Sequence, residues 1–199
     1  MQNHFTSSPV WKSGTVSDRP CTYAGFKFSN AYLADVDYHD DRKLDRSEIL
    51  RLSSCSYMVD NRNIIIMGAS GNGKSWLACA FGIAACKQYY PVKYVRLPEL
   101  WDELAIARGE GTFQKTIRQY KQVRLLILDE WLLTPLREQE ARDLLEIVEA
   151  RYQYASTIFC SQFRPGGWHE KIGQETLADA ILDGSFTIHT RYLSMEKCQ

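Results

Sequence analysis

The apolar positions of this chain fall into two kinds of run. Short unbroken blocks, such as Ile64–Met67 and Leu125–Leu128, alternate with longer stretches in which apolar residues recur every three or four positions. The blocks predict strands at 63–67, 92–96, 124–128 and 156–160. The periodic stretches predict helices at 74–88, 99–107, 113–121, 136–151 and 175–183, with Gly109 and Gly111 parting the second from the third. A last strand is expected at 185–189. Strands without polar alternation are those buried on both faces, and strands that alternate with helices form a parallel sheet covered on both sides. Upstream, Leu44, Ile49, Leu52, Cys55, Met58 and Val59 are spaced as on one helix over 44–59, with Asp45 as a candidate cap. Ten of the first 22 residues are Ser, Thr, Gly or Pro and follow no period. Residues 1–24 are therefore expected to be a poorly ordered leader, and 25–199 a single core.

Composition narrows the class. The chain has 199 residues, 45% of them apolar and 24% charged, which suits one folded domain and not a disordered chain. Twenty-four basic residues balance 24 acidic ones, so any nucleic-acid contact must come from a local patch and not from bulk charge. No apolar run approaches the roughly 20 residues of a membrane span, and Met1–Phe5 has no secretory pattern. Six cysteines without a C-x-x-C pair read as reduced thiols, several of them buried, in a cytoplasmic protein.

The first chemistry lies between the 63–67 strand and the 74–88 helix. Gly68-Ala69-Ser70-Gly71-Asn72-Gly73-Lys74-Ser75 satisfies G-x-x-x-x-G-K-[ST] in full, in the strand–turn–helix context it requires. Glycines let the backbone wrap phosphates where a Cβ would clash, and the helix N-terminus points its positive end at the anion. Lys74 suits the β- and γ-phosphates of ATP, and the Ser75 hydroxyl suits Mg²⁺. Trp76, next on the helix, completes the candidate nucleotide-binding set.

The second site follows 55 residues after Lys74, where an apolar strand ends in Asp129-Glu130. Acids at the C-terminal end of a parallel strand lie at the sheet's ligand edge. Asp129 can hold Mg²⁺ through water, and Glu130 can polarise an attacking water as general base. The 156–160 strand ends in Ser161-Gln162. Here a γ-phosphate contact and an ordinary polar strand end are equally consistent with the residues.

Together these residues resemble the IstB-like family of AAA+ ATPases, transposition helper proteins related to the DnaC helicase loaders. The resemblance spans about residues 25–183. It includes Ala24-Gly25-Phe26-Lys27-Phe28, Asp35-Val36-Asp37-Tyr38, Tyr94-Val95-Arg96-Leu97-Pro98 and the phosphate loop. Leu125–Trp131, Arg142–Ile147, Ser161-Gln162, Trp168–Gly173 and Leu177–Asp183 extend it. It implies a three-layer α/β/α P-loop fold with a parallel five-stranded sheet in the order 5-1-4-3-2. It implies an ATP- and Mg²⁺-dependent homo-oligomer on double-stranded DNA that acts with an IstA-like transposase, with Gln162 as a catalytic contact beside Lys74 and Glu130. Two departures bear on turnover. The arginine that reaches a neighbour's ATP in the family is Gly184 here, with Arg191 as a substitute, and a nucleotide-sensing arginine is Glu196. Since such an arginine accelerates hydrolysis by orders of magnitude, weak turnover is expected. The resemblance also implies a helical front region; only a Ser/Thr-rich leader stands before Ala24, so a truncated or frame-altered copy with a shortened C-terminal end is expected.

Charge is segregated along the chain. Residues 108–124 carry a local +4 and residues 129–149 a local −5. Arg108, Lys115, Arg118, Lys121 and Arg124 beside Phe113 and Tyr120 make either a DNA-phosphate patch or a solvated helix face. Trp168 before His169-Glu170 reads as a packing residue at a helix start. Three other functions fit the same motifs: a helicase loader, a nucleotide-binding remnant without turnover, and a small-molecule kinase.

Overall fold

The computed structural model describes residues 24–38, 44–186 and 190–195. The leader falls almost wholly outside these, as does Glu196. Five parallel strands form the central sheet: β1 (Ile64–Met67), β2 (Val92–Arg96), β3 (Leu125–Asp129), β4 (Ser156–Ser161) and β5 (Arg191–Ser194). Their order is β2-β3-β4-β1-β5, the expected one.

Strand geometry divides the core. Ile64 and Ile66 face one layer with Leu125, Ile127, Ile158 and Cys160, while Ile65, Leu126, Leu128 and Phe159 face the other. The first layer holds α1 (Arg46–Ser53), α2 (Ser56–Val59), α3 (Lys74–Lys87) and the segment 24–38. The second holds α4 (Leu97–Gly109), α5 (Phe113–Gln122), α6 (Glu138–Arg151), α7 (Trp168–Ile172) and α8 (Glu175–Phe186). Segment 24–38 explains why α3 is apolar nearly all round. It runs over the helix as a strap, and the Tyr94 N–H donates to the Ala24 carbonyl at 2.7 Å. A Cβ at Gly82, in mid-helix, would sit 2.5 Å from Phe26 Cε1 and 2.8 Å from Ile127 Cδ1. Glycine there costs helix propensity but lets strap, helix and sheet meet.

Three expectations are corrected. The helix expected over 44–59 is two helices, broken where buried Cys55 turns left-handed at φ 57°. Asp45 does cap the first, accepting from the Ser47 and Glu48 amides. Of the last strand expected at 185–189, residues 187–189 lie outside the described residues and the first two are helical. Helix α8 continues to Phe186, and β5 begins at Arg191, whose N–H donates to Asn63 O at 2.9 Å. Phe186-Thr187-Ile188 has strand-like residues, but pairing with β1 selects the later segment, which buries Leu193. Arg124 also leaves the strand expected at 124–128. Its guanidinium donates to Tyr154 O at 2.6 Å and Met58 O at 3.0 Å.

The opposed charge segments meet each other. Arg108 pairs with Asp143 through two hydrogen bonds, and Lys121 lies 2.5 Å from Glu146, so α6 acids neutralise basic residues of α4 and α5. Tyr120 is fully buried and hydrogen-bonded to Glu103, which removes it from any base-stacking surface. Lys115 and Arg118 stay exposed, with no carboxylate partner among the described residues.

Candidate nucleotide site

The phosphate loop is shaped from behind by the end of β5. The Met195 N–H donates to Met67 O at 2.7 Å, and Asn72 Nδ2 donates to Met195 O at 2.6 Å. Gly68 lies so close that a Cβ would meet the Met195 carbonyl oxygen at 2.4 Å. Gly71 and Gly73 take φ of 80° and 88°, a region costly for other residues, and hand the chain to the first turn of α3. That 14-residue helix directs its unpaired N–H groups and positive dipole end at the loop. Lys74 is only 8% exposed and donates to Ala69 O at 2.8 Å. Burial lowers its ammonium pKa, and nearby Asp129 works against that.

Strands β3 and β4 bring the remaining groups to the same edge. Asp129 is 2% exposed and both its oxygens are engaged. Oδ2 accepts from the Tyr94 hydroxyl at 2.6 Å, and Oδ1 accepts from the Glu130 amide at 2.9 Å. Glu130 follows in a left-handed conformation, φ 56°, with Oε1 3.3 Å from Arg96 Nη1. Arg96 is itself held by Glu99 at 2.7 Å. The turn after the acids is anchored in aromatic packing. Trp131 is fully buried edge-on against Phe159 and Trp168, and its backbone N–H donates to Cys160 O at 2.8 Å.

The two readings of Ser161-Gln162 separate here. Ser161 is buried, with its Oγ 3.2 Å from Trp131 O and accepting from Phe163 N and Trp168 Nε1. It secures the turn. Gln162 reaches the cavity. Trp168 packs in the core as expected, and His169 makes a surface pair with Asp179 at 2.8 Å.

A cavity of about 260 Å3 gathers Ser70, Gly71, Gly73, Lys74, Ser75 and Trp76 with Asp129, Glu130 and Gln162. Of the expected nucleotide set, Gly68, Ala69 and Asn72 do not line it and instead brace the loop. Lys27 and Phe28 of the strap do line it, as does Cys160 at the cavity floor. Cys160, like Cys55, Cys79 and Cys86, is a buried free thiol, and burial raises its pKa well above the ordinary range. A second recess of about 450 Å3 shares Gly73 and Trp76 and is lined mainly by Val36, Leu44, Leu77 and Met195. An apolar slot beside a phosphate cradle suits a flat heterocyclic base.

Sequence reasoning assigned no role to Lys27, Phe28, Tyr94 or Arg96, although the first two stand in Ala24–Phe28 and the others in Tyr94-Val95-Arg96. Of the recess residues, Gly73 and Trp76 stood in the expected nucleotide set and Asp35–Asp37 in the family resemblance, whereas Leu44, Leu77 and Met195 were assigned no site role, because apolar side chains in a core pattern look like packing.

A model of the family described as IstB-like ATP binding protein matches residues 15–196. The chain belongs to this family. It is 50% identical over 149 residues to an insertion sequence ATP-binding protein of Sinorhizobium fredii, a stretch covering 75% of this chain and 61% of that protein. It is 39% identical over 153 residues to another of Pseudomonas fluorescens, covering 77% of this chain and 66% of the relative. The matched stretch thus spans about three fifths to two thirds of those relatives. Among solved structures, the DnaC helicase loader superposes with a TM-score of 0.68 at 19% identity, covering 84% of this chain and 97% of that one. DnaA bound to AMPPCP and single-stranded DNA does so with a TM-score of 0.68 at 20% identity, covering 84% and 50%. These likenesses establish an AAA+ P-loop fold, and the family is one of ATP-binding proteins. Among the described residues, no helix is long and apolar enough to cross a membrane.

Proposed function

We propose that this chain binds ATP with Mg²⁺ and hydrolyses it as the helper of an insertion-sequence transposase, working as a homo-oligomer on double-stranded DNA. One observation carries the reading: a single cavity joins the phosphate loop, through Lys74 and Ser75, to Asp129, Glu130 and Gln162. The relatives' description as insertion sequence ATP-binding proteins supports the biological setting.

The donor set fits a hard divalent cation, since a hydroxyl, Ser75, and a carboxylate, Asp129, line one cavity. Bound there with ATP, Mg²⁺ supplies charge neutralisation of the phosphate oxygens. Lys74 and the amides of the loop hold the β- and γ-phosphates. Glu130 accepts the proton of a water that attacks the γ-phosphorus as the bond to the ADP oxygen breaks, and Gln162 orients that water or the γ-phosphate. Glu130 must leave Arg96 to do this. With Gly184 at the position of the trans-acting arginine, turnover stays slow, whereas binding does not depend on that residue.

DNA contact rests on Lys115 and Arg118, the basic residues of α5 free of carboxylate partners among the described residues. The DnaC likeness favours one alternative, a helicase loader, which shares this core and differs in its partner.

The deciding experiment measures ATP binding and phosphate release with and without duplex DNA. The expected outcome is slow, DNA-stimulated release that Glu130→Gln abolishes while keeping ATP bound, and that Lys74→Ala loses together with binding. Undiminished binding by Lys74→Ala overturns the site assignment. Release that needs a small-molecule acceptor indicates a kinase. Capture of a replicative helicase instead of a transposase decides for the loader.

A further inference from the structure

We propose that Tyr94 is a positioning residue for Mg²⁺ at Asp129, an assignment that rests on the nucleotide-site reading above. The β2–β3 register sets Tyr94 beside Ile127 and Arg96 beside Asp129. Residues two apart on a strand share a face, so Tyr94 and Asp129 project into the same layer about one pleat repeat apart, roughly 7 Å along the strand. A phenol is long enough to cover that offset, and its oxygen lies 2.6 Å from Asp129 Oδ2. Both partners are buried, Tyr94 at 7% and Asp129 at 2% exposure.

The hydroxyl is what needs explaining. Phenylalanine would fill the same space among Cys79, Ile127 and Cys160, and burying a hydroxyl in that layer costs free energy unless it is hydrogen-bonded. Here the bond goes to the acid itself. The phenol O–H is the donor and the carboxylate oxygen the acceptor. With Tyr94 on Oδ2 and the Glu130 amide on Oδ1, rotation of the carboxylate is stopped from both sides. Its remaining lone pairs are presented to the cavity in one orientation. Asp129 then meets the cation as a preset acceptor, and the ordering cost is already met in the folded protein. Tyr94 is also tied to the strap through its N–H to Ala24 O, so the ring is fixed at its root.

The test compares the intact chain with Tyr94→Phe and Asp129→Ala, titrating a fluorescent ATP analogue in EDTA and then at increasing Mg²⁺. Partners in this position typically change metal affinity by about 10- to 100-fold. Tyr94→Phe is expected to raise the Mg²⁺ concentration for half-maximal effect by about tenfold and to leave affinity in EDTA unchanged. Wild-type Mg²⁺ dependence in Tyr94→Phe overturns the proposal, as does an equal loss with and without Mg²⁺, which marks a merely structural role. If Asp129→Ala also leaves the Mg²⁺ dependence intact, the reading of the site itself has failed. A second measurement does not depend on the variant folding. With 3-fluorotyrosine at position 94, adding Mg²⁺ to the nucleotide complex should move its fluorine resonance, and an unmoved resonance overturns the proposal.

Discussion

Strand β4 has a buried cation at each end, and the two are held in opposite ways. At its N-terminal end Arg151, 3% exposed, donates to Tyr120 O, Val123 O, Ser156 O and Thr157 Oγ1 at 2.5–2.9 Å. Burial, with Arg124 nearby, pushes its pKa down to about 9, which still leaves it charged at neutral pH. The guanidinium fork is matched to acceptors from α5, the α5–β3 loop and β4, and binds these elements together. At the C-terminal end Lys74, 8% exposed, has one acceptor among the described residues, Ala69 O, and lines a cavity. A cation saturated by its own fold stabilises the fold. A cation left partly unsatisfied beside open space is available to a ligand.

The comparison breaks most visibly with Arg151→Met. It leaves three carbonyls and a hydroxyl without their donor, and urea unfolding should show a loss of about 3–5 kcal/mol. A loss under about 1 kcal/mol would mean that water replaces the guanidinium and that the two cations are alike. Lys74→Ala should do the reverse. Unfolding should change by no more than about 1 kcal/mol, while ATP affinity falls about 100-fold, the worth of one charge-assisted contact to phosphate. Gly68→Ala tests the support behind the loop. Its Cβ has no room beside Met195 O, so a loss of about 1–3 kcal/mol is expected in thermal unfolding, with weaker ATP binding. The smallest stability effect belongs to Arg96→Ala. Its pair with Glu130 is solvated, so unfolding should be nearly unchanged. Phosphate release should nevertheless rise, because Glu130 is freed for water. Unchanged release would show that the pair does not restrain Glu130.

Much of this was legible in the chain. The phosphate loop is contiguous, so its residues carry their own geometry; apolar blocks marked β1, β3 and β4, and Val92, Tyr94 and Val95 marked β2 around Lys93. Asp129 and Glu130 were readable because a strand that must be buried ends in charge. The misreadings have a common cause. Helix 44–59 looked continuous because spacing does not record the left-handed turn at Cys55. The strand at 185–189 looked plausible because β-branched and aromatic residues do not say which segment reaches the β1 edge. The charge segments at 108–124 and 129–149 looked like separate surfaces because a sum along the chain does not show that α4, α5 and α6 are neighbours.

What the sequence determined by itself was therefore local and covalent: the loop that can cradle phosphate, the acids at a strand end, and the period of each element. Tertiary structure decided which groups serve those residues. It brought Tyr94 to Asp129, Arg96 to Glu130, Lys27 to the cavity and Met195 to the loop, and it sent Ser161 into the core but Gln162 to the site. The physical reason is that these contacts join segments up to 123 positions apart, across strands whose register depends on the whole sheet. A backbone motif can be read along the chain, but a hydrogen-bond partner supplied by another strand can be read only once the strands are paired.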